Sequence, residues 1–172
     1  MIKDELEYQV SQDWVEKFKK SIAAMDRDEE AKQKDFLKWD AGRGSLVCHI
    51  EQLEAEIAEY ERLVSCDRSQ PIDIVVENLN KLSDALIKAR IAAKMSEKEL
   101  AEIIDIDEER IKECERKNYR CASFVEILEI AFALGLEFKT AVMQVDFEEI
   151  EAVKRTAAQW RKEKMEQAKK VS

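Results

Sequence analysis

Residues 89–136, ARIAAKMSEKELAEIIDIDEERIKECERKNYRCASFVEILEIAFALGL, decide how this chain is read. Ser96 stands three residues before Glu99, and Ser123 three before Glu126. In each pair the hydroxyl can cap a helix start while the Glu reaches back to the free N–H, so each pair marks a helix start. Gly135 falls where a helix end needs a left-handed residue. Ala101 is small enough to let two short helices approach closely. Ile104, Ile106 and Ile111 can fill the angle between them. Asp105 takes the turn, since Asp tolerates a left-handed backbone better than most residues.

Ahead of this stretch, a helix is predicted from near Ile74 to about Lys94, with Leu79, Leu82, Leu86 and Ala89 or Arg90 facing inward. The run SCDRSQP at 65–71 is polar, holds the only proline and reads as a linker. Before it, Phe36, Trp39, Arg43, Leu46, Ile50, Leu53, Ile57, Tyr60 and Val64 recur in steps of three and four. Only Arg43 breaks the apolar pattern, which predicts a long helix packed in coiled-coil fashion. Gly42 and Gly44 weaken it by about 1 kcal/mol each relative to Ala, enough for a kink. Its partner is either the first helix, in an antiparallel hairpin, or a second copy of the chain. Residues 1–10 read as an irregular lead-in and Ser11 as an N-cap, with Trp14, Phe18, Ile22 and Met25 on one face. The charged run at 25–34 holds the bend. Downstream, Asp146 and Glu149 form a third capping pair. It opens a helix with Phe147, Ile150, Val153 or Ala157 and Trp160 on one side and Lys162, Lys164, Lys169 and Lys170 at its basic end. The three tryptophans read as core.

The whole is therefore predicted to be all-α. A helical hairpin or coiled-coil region spans 1–65, a compact helical domain 72–140, and a C-terminal helix 146–170. The totals agree: three Gly, one Pro and 39% charged residues in 172 leave little material for sheets or tight turns. No apolar run approaches a membrane span, and the polar, acidic start MIKDELEYQVSQDW is unlike a secretory signal. Cys48, Cys66, Cys114 and Cys121 show no CxxC spacing and read as reduced thiols of a cytoplasmic protein. Cys48 and His49 are adjacent but lack further ligands, so no metal and no cofactor are expected. A single histidine and the lack of any nucleophile–base–orienter set argue against an enzyme. The net charge of −9 repels nucleic acid overall, so DNA binding needs a local patch.

Arg90, Leu100-Ala101, Ile106, Ile111, Glu115 and the run 127–135 together resemble the lambda-repressor-like, or XRE, helix-turn-helix family over about a third of the chain. The order of elements is similar to antitoxin-like regulators of that family. The resemblance implies a largely buried ion pair between Arg90 and Glu115. It also implies that the helix near 107–116 enters the DNA major groove by its N-terminal end. The DNA-facing residues would then be Lys98, Glu108, Glu109, Arg110, Lys112, Glu113, Arg116 and Arg120, with Arg116 and Arg120 where the family holds phosphate. Here the chain departs from expectation. Glu108, Glu109 and Glu113 stand at the base-reading positions, and Glu97 stands where a Gln often touches phosphate. Residues 107–120 hold five basic and five acidic side chains, so the segment has no electrostatic footprint of its own. Lys94 stands where a small residue is usual. Two functions follow as expectations. One is a homodimeric DNA-binding regulator of transcription, an antitoxin-like autorepressor of double-stranded DNA. The other is an acidic helix-turn-helix module that binds a basic protein, such as a cognate toxin, and does not read DNA.

Overall fold

Eight α-helices and one 3-10 turn carry the protein in a computed structural model, which describes the backbone over residues 1–171 and side chains over residues 1–165. Among the described residues there is no strand, so the fold is all-α. Residues 1–137 pack as one unit and residues 138–172 as a second. No described helix is long and apolar enough to cross a membrane.

Helix α1 spans Glu5–Arg27 and starts seven residues earlier than a cap at Ser11 would allow. Asp4 is the reason. Its carboxylate accepts the Glu7 N–H at 2.8 Å, while the Glu7 carboxylate accepts the Lys3 N–H at 2.8 Å. One free donor of the first turn and one just ahead of the cap are thereby satisfied. Ser11 instead lies mid-helix and buried, in line with Val15. Two aspartates punctuate the charged run. Asp28 caps α2 (Glu29–Lys34) and Asp35 caps α3 (Phe36–Ser65).

Helix α3 finds its partner in the same chain. Tyr8 donates to Glu61 at 2.6 Å, Lys19 pairs with Glu54 at 2.8 Å, and Arg43 pairs with Asp26 at 2.7 Å. Those pairings descend along α3 as they climb α1, so the two helices are antiparallel. Arg43, the break in the apolar seam, is thus held by Asp26 near the end of α1. The helix runs unbroken through Gly42 and Gly44, whose weakening would have allowed a break. At its far end the seam drifts: Leu63 is 1% exposed, whereas the predicted Val64 is open to solvent. An α-helix turns about 20° per heptad away from a strict seven-residue repeat, and four heptads accumulate one residue of offset.

The next helix starts late. Residues 72–78 are irregular, Leu79–Lys81 forms the 3-10 turn, and α4 spans Leu82–Ala92. Ile72, Ile74, Val75 and Val76 are β-branched and poorly suited to a helix start, and no side chain caps one there. Leu79, predicted to face inward, is exposed, whereas Leu86 is fully buried. Helices α5 (Glu97–Ile103), α6 (Glu108–Arg116) and α7 (Phe124–Ala133) complete the unit. Leu86, Leu100, Ile111 and Ile130 form the centre of one core that also takes in Ile2, Tyr60 and Leu63. Among the described residues, the Tyr119 hydroxyl is the one buried side-chain polar atom without a hydrogen-bond partner. A buried donor left unpaired costs about 1–3 kcal/mol. Tyr119→Phe is therefore expected to stabilise the protein by about 1 kcal/mol, read as a higher urea midpoint at unchanged slope. A lower midpoint would show that the hydroxyl is satisfied.

In the second unit, Asp146 accepts from the N–H groups of Glu148 and Glu149 and opens α8, Phe147–Val171. Lys162 and Lys164 lie on this helix, and the side chains of Lys169 and Lys170, assigned to its basic end, fall outside the described residues. Trp14 and Trp160, read as core from sequence, are both substantially exposed. Trp14 sits beside the buried line of Ser11 and Val15, where Lys17 Nζ lies 4.8 Å from its ring centre. Trp39 is half-buried and donates from Nε1 to the Met25 carbonyl at 3.1 Å. All four cysteines are free thiols.

Candidate nucleic-acid interface

The paired helices α5 and α6 are fixed from both ends. Ser96 Oγ accepts the Glu99 N–H at 3.1 Å and Glu99 accepts the Ser96 N–H at 2.7 Å, a complete capping box. After Ile103 the chain reverses through Asp105, whose φ of 55 is left-handed, and the Ile106 N–H closes the helix end on the Ala101 carbonyl at 3.0 Å. Lys94, Asn118 and Tyr119 adopt the same left-handed backbone at φ of 54, 47 and 56. Ala101 and Leu100 bury the inner face of α5. On α6 the buried line is Ile111, Cys114 and Glu115.

Glu115 is buried because Arg90 of α4 meets it. Arg90 donates from Nε at 2.5 Å and from Nη2 at 2.7 Å to the two carboxylate oxygens, and from Nη1 to the Met95 carbonyl at 3.0 Å. Burial works against the charged guanidinium, but the Glu115 hydrogen bonds outweigh it and hold the Arg90 pKa above its ordinary value. Lys3 adds a further tie, donating to the Glu115 carbonyl at 2.7 Å and to Asn118 Oδ1 at 2.8 Å.

The outer face of α6 carries most of the candidate residues, and its cations are largely engaged within the chain. Lys112 pairs with Glu108 at 2.8 Å and with Glu109 at 3.0 Å, which raises its pKa. Glu109 is 84% exposed. Glu113 takes Lys117 at 2.6 Å, which lowers its pKa. On α5, Lys98 lies 3.9 Å from Glu102, both well exposed. Arg110 turns away from this face. It donates to both oxygens of Glu126 at 2.8 and 3.1 Å, to the Cys121 carbonyl at 2.9 Å and to Glu113 at 3.2 Å. It thus clamps α6 to the connection before α7. Arg116 and Arg120 are exposed, and among the described residues neither guanidinium group has a hydrogen-bond or ion-pair partner. Glu97 is half-buried, and its pKa is raised, first by that burial and then by the charge of Glu115.

The Arg110–Glu126 clamp is a feature that the sequence reading missed. Glu126 serves twice, since it also accepts the Ser123 N–H at 2.6 Å to complete the α7 capping box. The signal for the cap was visible, but that for the second partner, sixteen residues back on another helix, was not. The Arg110 hydrogen bonds, then the Ser123 backbone, pull the Glu126 pKa down to about 2. The unfolded chain binds that proton near pH 4.5, so the stabilisation is complete above pH 4.5 and is lost as pH falls toward 2. Acid titration of the wild type is expected to show a loss of stability across that window, and Arg110→Ala to shallow it. An identical acid limb in both proteins would mean that the clamp does not hold in solution.

Among the described residues no three His, Cys, Asp or Glu side chains gather as a metal site. Comparison of the chain with protein-family models, with curated proteins and with solved structures found no match.

Proposed function

We propose that residues 82–136 are a lambda-repressor-like helix-turn-helix module and that the protein is a DNA-binding regulator of transcription. It would act as a homodimer in the cytoplasm, in the manner of an antitoxin-like autorepressor. One observation carries this reading: the face of α6 opposite Ile111, Cys114 and Glu115 lies away from the core and leads to two exposed arginines whose guanidinium groups have no partner among the described residues. In this reading the N-terminal half of α6 enters the major groove. Glu108 and Glu109 accept from cytosine amino groups. Arg116 and Arg120 hold the phosphates flanking the groove, with Lys98 at the edge.

The in-chain pairs set the magnitude. With Arg110, Lys112 and Lys117 engaged, about two phosphate contacts remain per protomer. Each contributes a slope of about −0.9 in log affinity against log salt. A dimer is thus expected to show a slope of about −4, and to lose roughly a hundredfold in affinity between 50 and 200 mM salt. The test is a salt series of binding to the protein's own promoter fragment against a scrambled duplex. Arg116→Ala with Arg120→Ala is expected to weaken both about equally. No binding at low salt, or a slope near zero, would sink the reading.

A second reading is favoured by the same ion pairs. With Glu108, Glu109 and Glu113 beside the buried Glu115, α6 carries four acids against three bases and is net negative, which suits an acidic module that binds a basic protein such as a cognate toxin. Reversal of all three glutamates to lysine separates the two. Loss of operator binding supports the DNA reading. Gain of DNA binding together with loss of a basic partner supports the other.

A further inference from the structure

We infer that Cys114 and Cys121 form an oxidation site, at which a peroxide closes a disulfide between α6 and the connection ahead of α7. The inference goes beyond the DNA reading and does not depend on it, since a chain that binds no DNA can still be oxidised there.

Two observations carry it. The first is contact. The Cys121 thiol donates to the Cys114 sulfur at 3.8 Å, and a disulfide needs a separation of about 2 Å, a closure that side-chain rotation supplies. The fold holds both residues in place. Cys114 lies on the buried line of α6 with Ile111 and Glu115. The chain then curls back through Asn118 and Tyr119, both left-handed, and the Tyr119 N–H closes the curl on the Cys114 carbonyl at 2.6 Å. Arg110 holds the far side, donating from Nη2 to the Cys121 carbonyl at 2.9 Å. Two thiols seven residues apart are thus brought together by a turn anchored at both ends, which gives each a high effective concentration at the other.

The second is an asymmetry of access. Cys121 is half-buried, whereas Cys114 is 1% exposed. Burial, then the contact with Cys121, pushes the Cys114 thiol up to about 11, so it stays protonated at neutral pH and is slow toward an oxidant. A peroxide therefore meets Cys121 first. The Cys121 sulfur attacks one oxygen of hydrogen peroxide and the O–O bond breaks, leaving a sulfenic acid and one water. The Cys114 sulfur then attacks the Cys121 sulfur. The S–O bond breaks, and the hydroxyl leaves as a second water with the Cys114 proton. Two electrons pass from the sulfurs to the peroxide, and a thiol reductant reverses the link. A reversible link is the form that disulfides take in a reducing compartment, where they sense oxidants rather than staple the fold. The closed ring, residues 114–121, contains Arg116 and Arg120. Oxidation therefore fixes the corner that carries these two exposed arginines.

Treatment of the full chain with hydrogen peroxide is the test. Cleavage after lysine and arginine puts the two cysteines on separate peptides, residues 113–116 and 121–139, which only a disulfide joins. Mass spectrometry is expected to find the joined pair, lighter than its parts by two hydrogens, in excess of any cross-link to Cys48 or Cys66. Dithiothreitol is expected to release it. Amide exchange at residues 118–120 is expected to slow by about tenfold or more in the oxidised chain, because the ring removes open states of the corner. Cys114→Ala is expected to leave Cys121 as a sulfenic acid that dimedone traps, and Cys121→Ser to leave Cys114 a free thiol under the same treatment. Should Cys114→Ala fail to fold, the joined peptides of the wild type still decide. Cys121 carrying added oxygen with no joined pair overturns the inference. So does pairing that favours Cys48 or Cys66, or a Cys114–Cys121 link that forms as fast in the urea-unfolded chain. A dimedone adduct on Cys114 in Cys121→Ser overturns the order of attack, and unchanged amide exchange overturns the fixing of the corner.

Discussion

Glu115→Ala is expected to lower the stability of the protein by about 3–5 kcal/mol, the largest effect of any single substitution outside the apolar core. The carboxylate is almost completely buried, and its removal strands the Arg90 guanidinium with only the Met95 carbonyl as acceptor. Proteins of this size hold about 5–15 kcal/mol in total, so the variant should sit near the edge of folding. Arg90→Ala should cost a similar amount for the mirror reason. Arg90→Met combined with Glu115→Leu should recover most of the loss, because no charge is then left unpaired. Urea melts of the three variants provide the check. A loss below about 1 kcal/mol in both single variants would show that water reaches the pair and that it behaves as a surface bridge.

Ile111→Ala is expected to cost about 2–5 kcal/mol, and Ile111→Val about 0.5–1.5. Ile111 is fully buried on the inner face of α6, in the core that also holds Leu100 and Ile130. Removal of three carbons there opens a cavity that the surrounding helices close only in part. Glu109→Ala, on the outer face of the same helix, is expected to stay within about 0.5 kcal/mol of wild type. Melts that failed to rank the three in this order would mean that α6 is not anchored through Ile111. The DNA proposal requires that anchor, since a loose α6 cannot hold a fixed register in a groove.

What could be read in advance followed the range of the interaction. Ser96–Glu99, Ser123–Glu126, the left-handed Asp105 and the left-handed Gly135 are all settled within a few residues, and the sequence displays them directly. The helical class followed from composition and periodicity for the same reason. The start of α1 was missed because Leu6 and Val10, inside the helix, point to solvent and add nothing to the apolar line that a pattern detects. The cap at Asp4 was the available signal. The start of α4 was misplaced because the inward spacing was extended back from Leu82 and Leu86 through Leu79, while the β-branched Ile74, Val75 and Val76 and the lack of a cap keep residues 72–78 irregular. At the candidate site, the list of charged residues on α6 was legible, but their engagement was not. Whether a lysine is open to a phosphate depends on which glutamate it meets, and Arg110 meets one on a different helix. The Arg90–Glu115 pairing entered through the family resemblance alone, since nothing in the local pattern links residues 25 apart.

The core that α4, α5, α6 and α7 share with Ile2, Tyr60 and Leu63 has a practical consequence. Lys3 reaches the end of α6, Lys88 reaches Glu59 at 2.8 Å, and the Cys66 thiol meets the Ala92 carbonyl at 3.6 Å. The four short helices are therefore not a portable cassette. Grafted onto another chain as residues 72–137, they would carry an open apolar scar where the front hairpin had been, and would be prone to clump or melt. A transplant that is to stand alone must bring α1 and the second half of α3 with it.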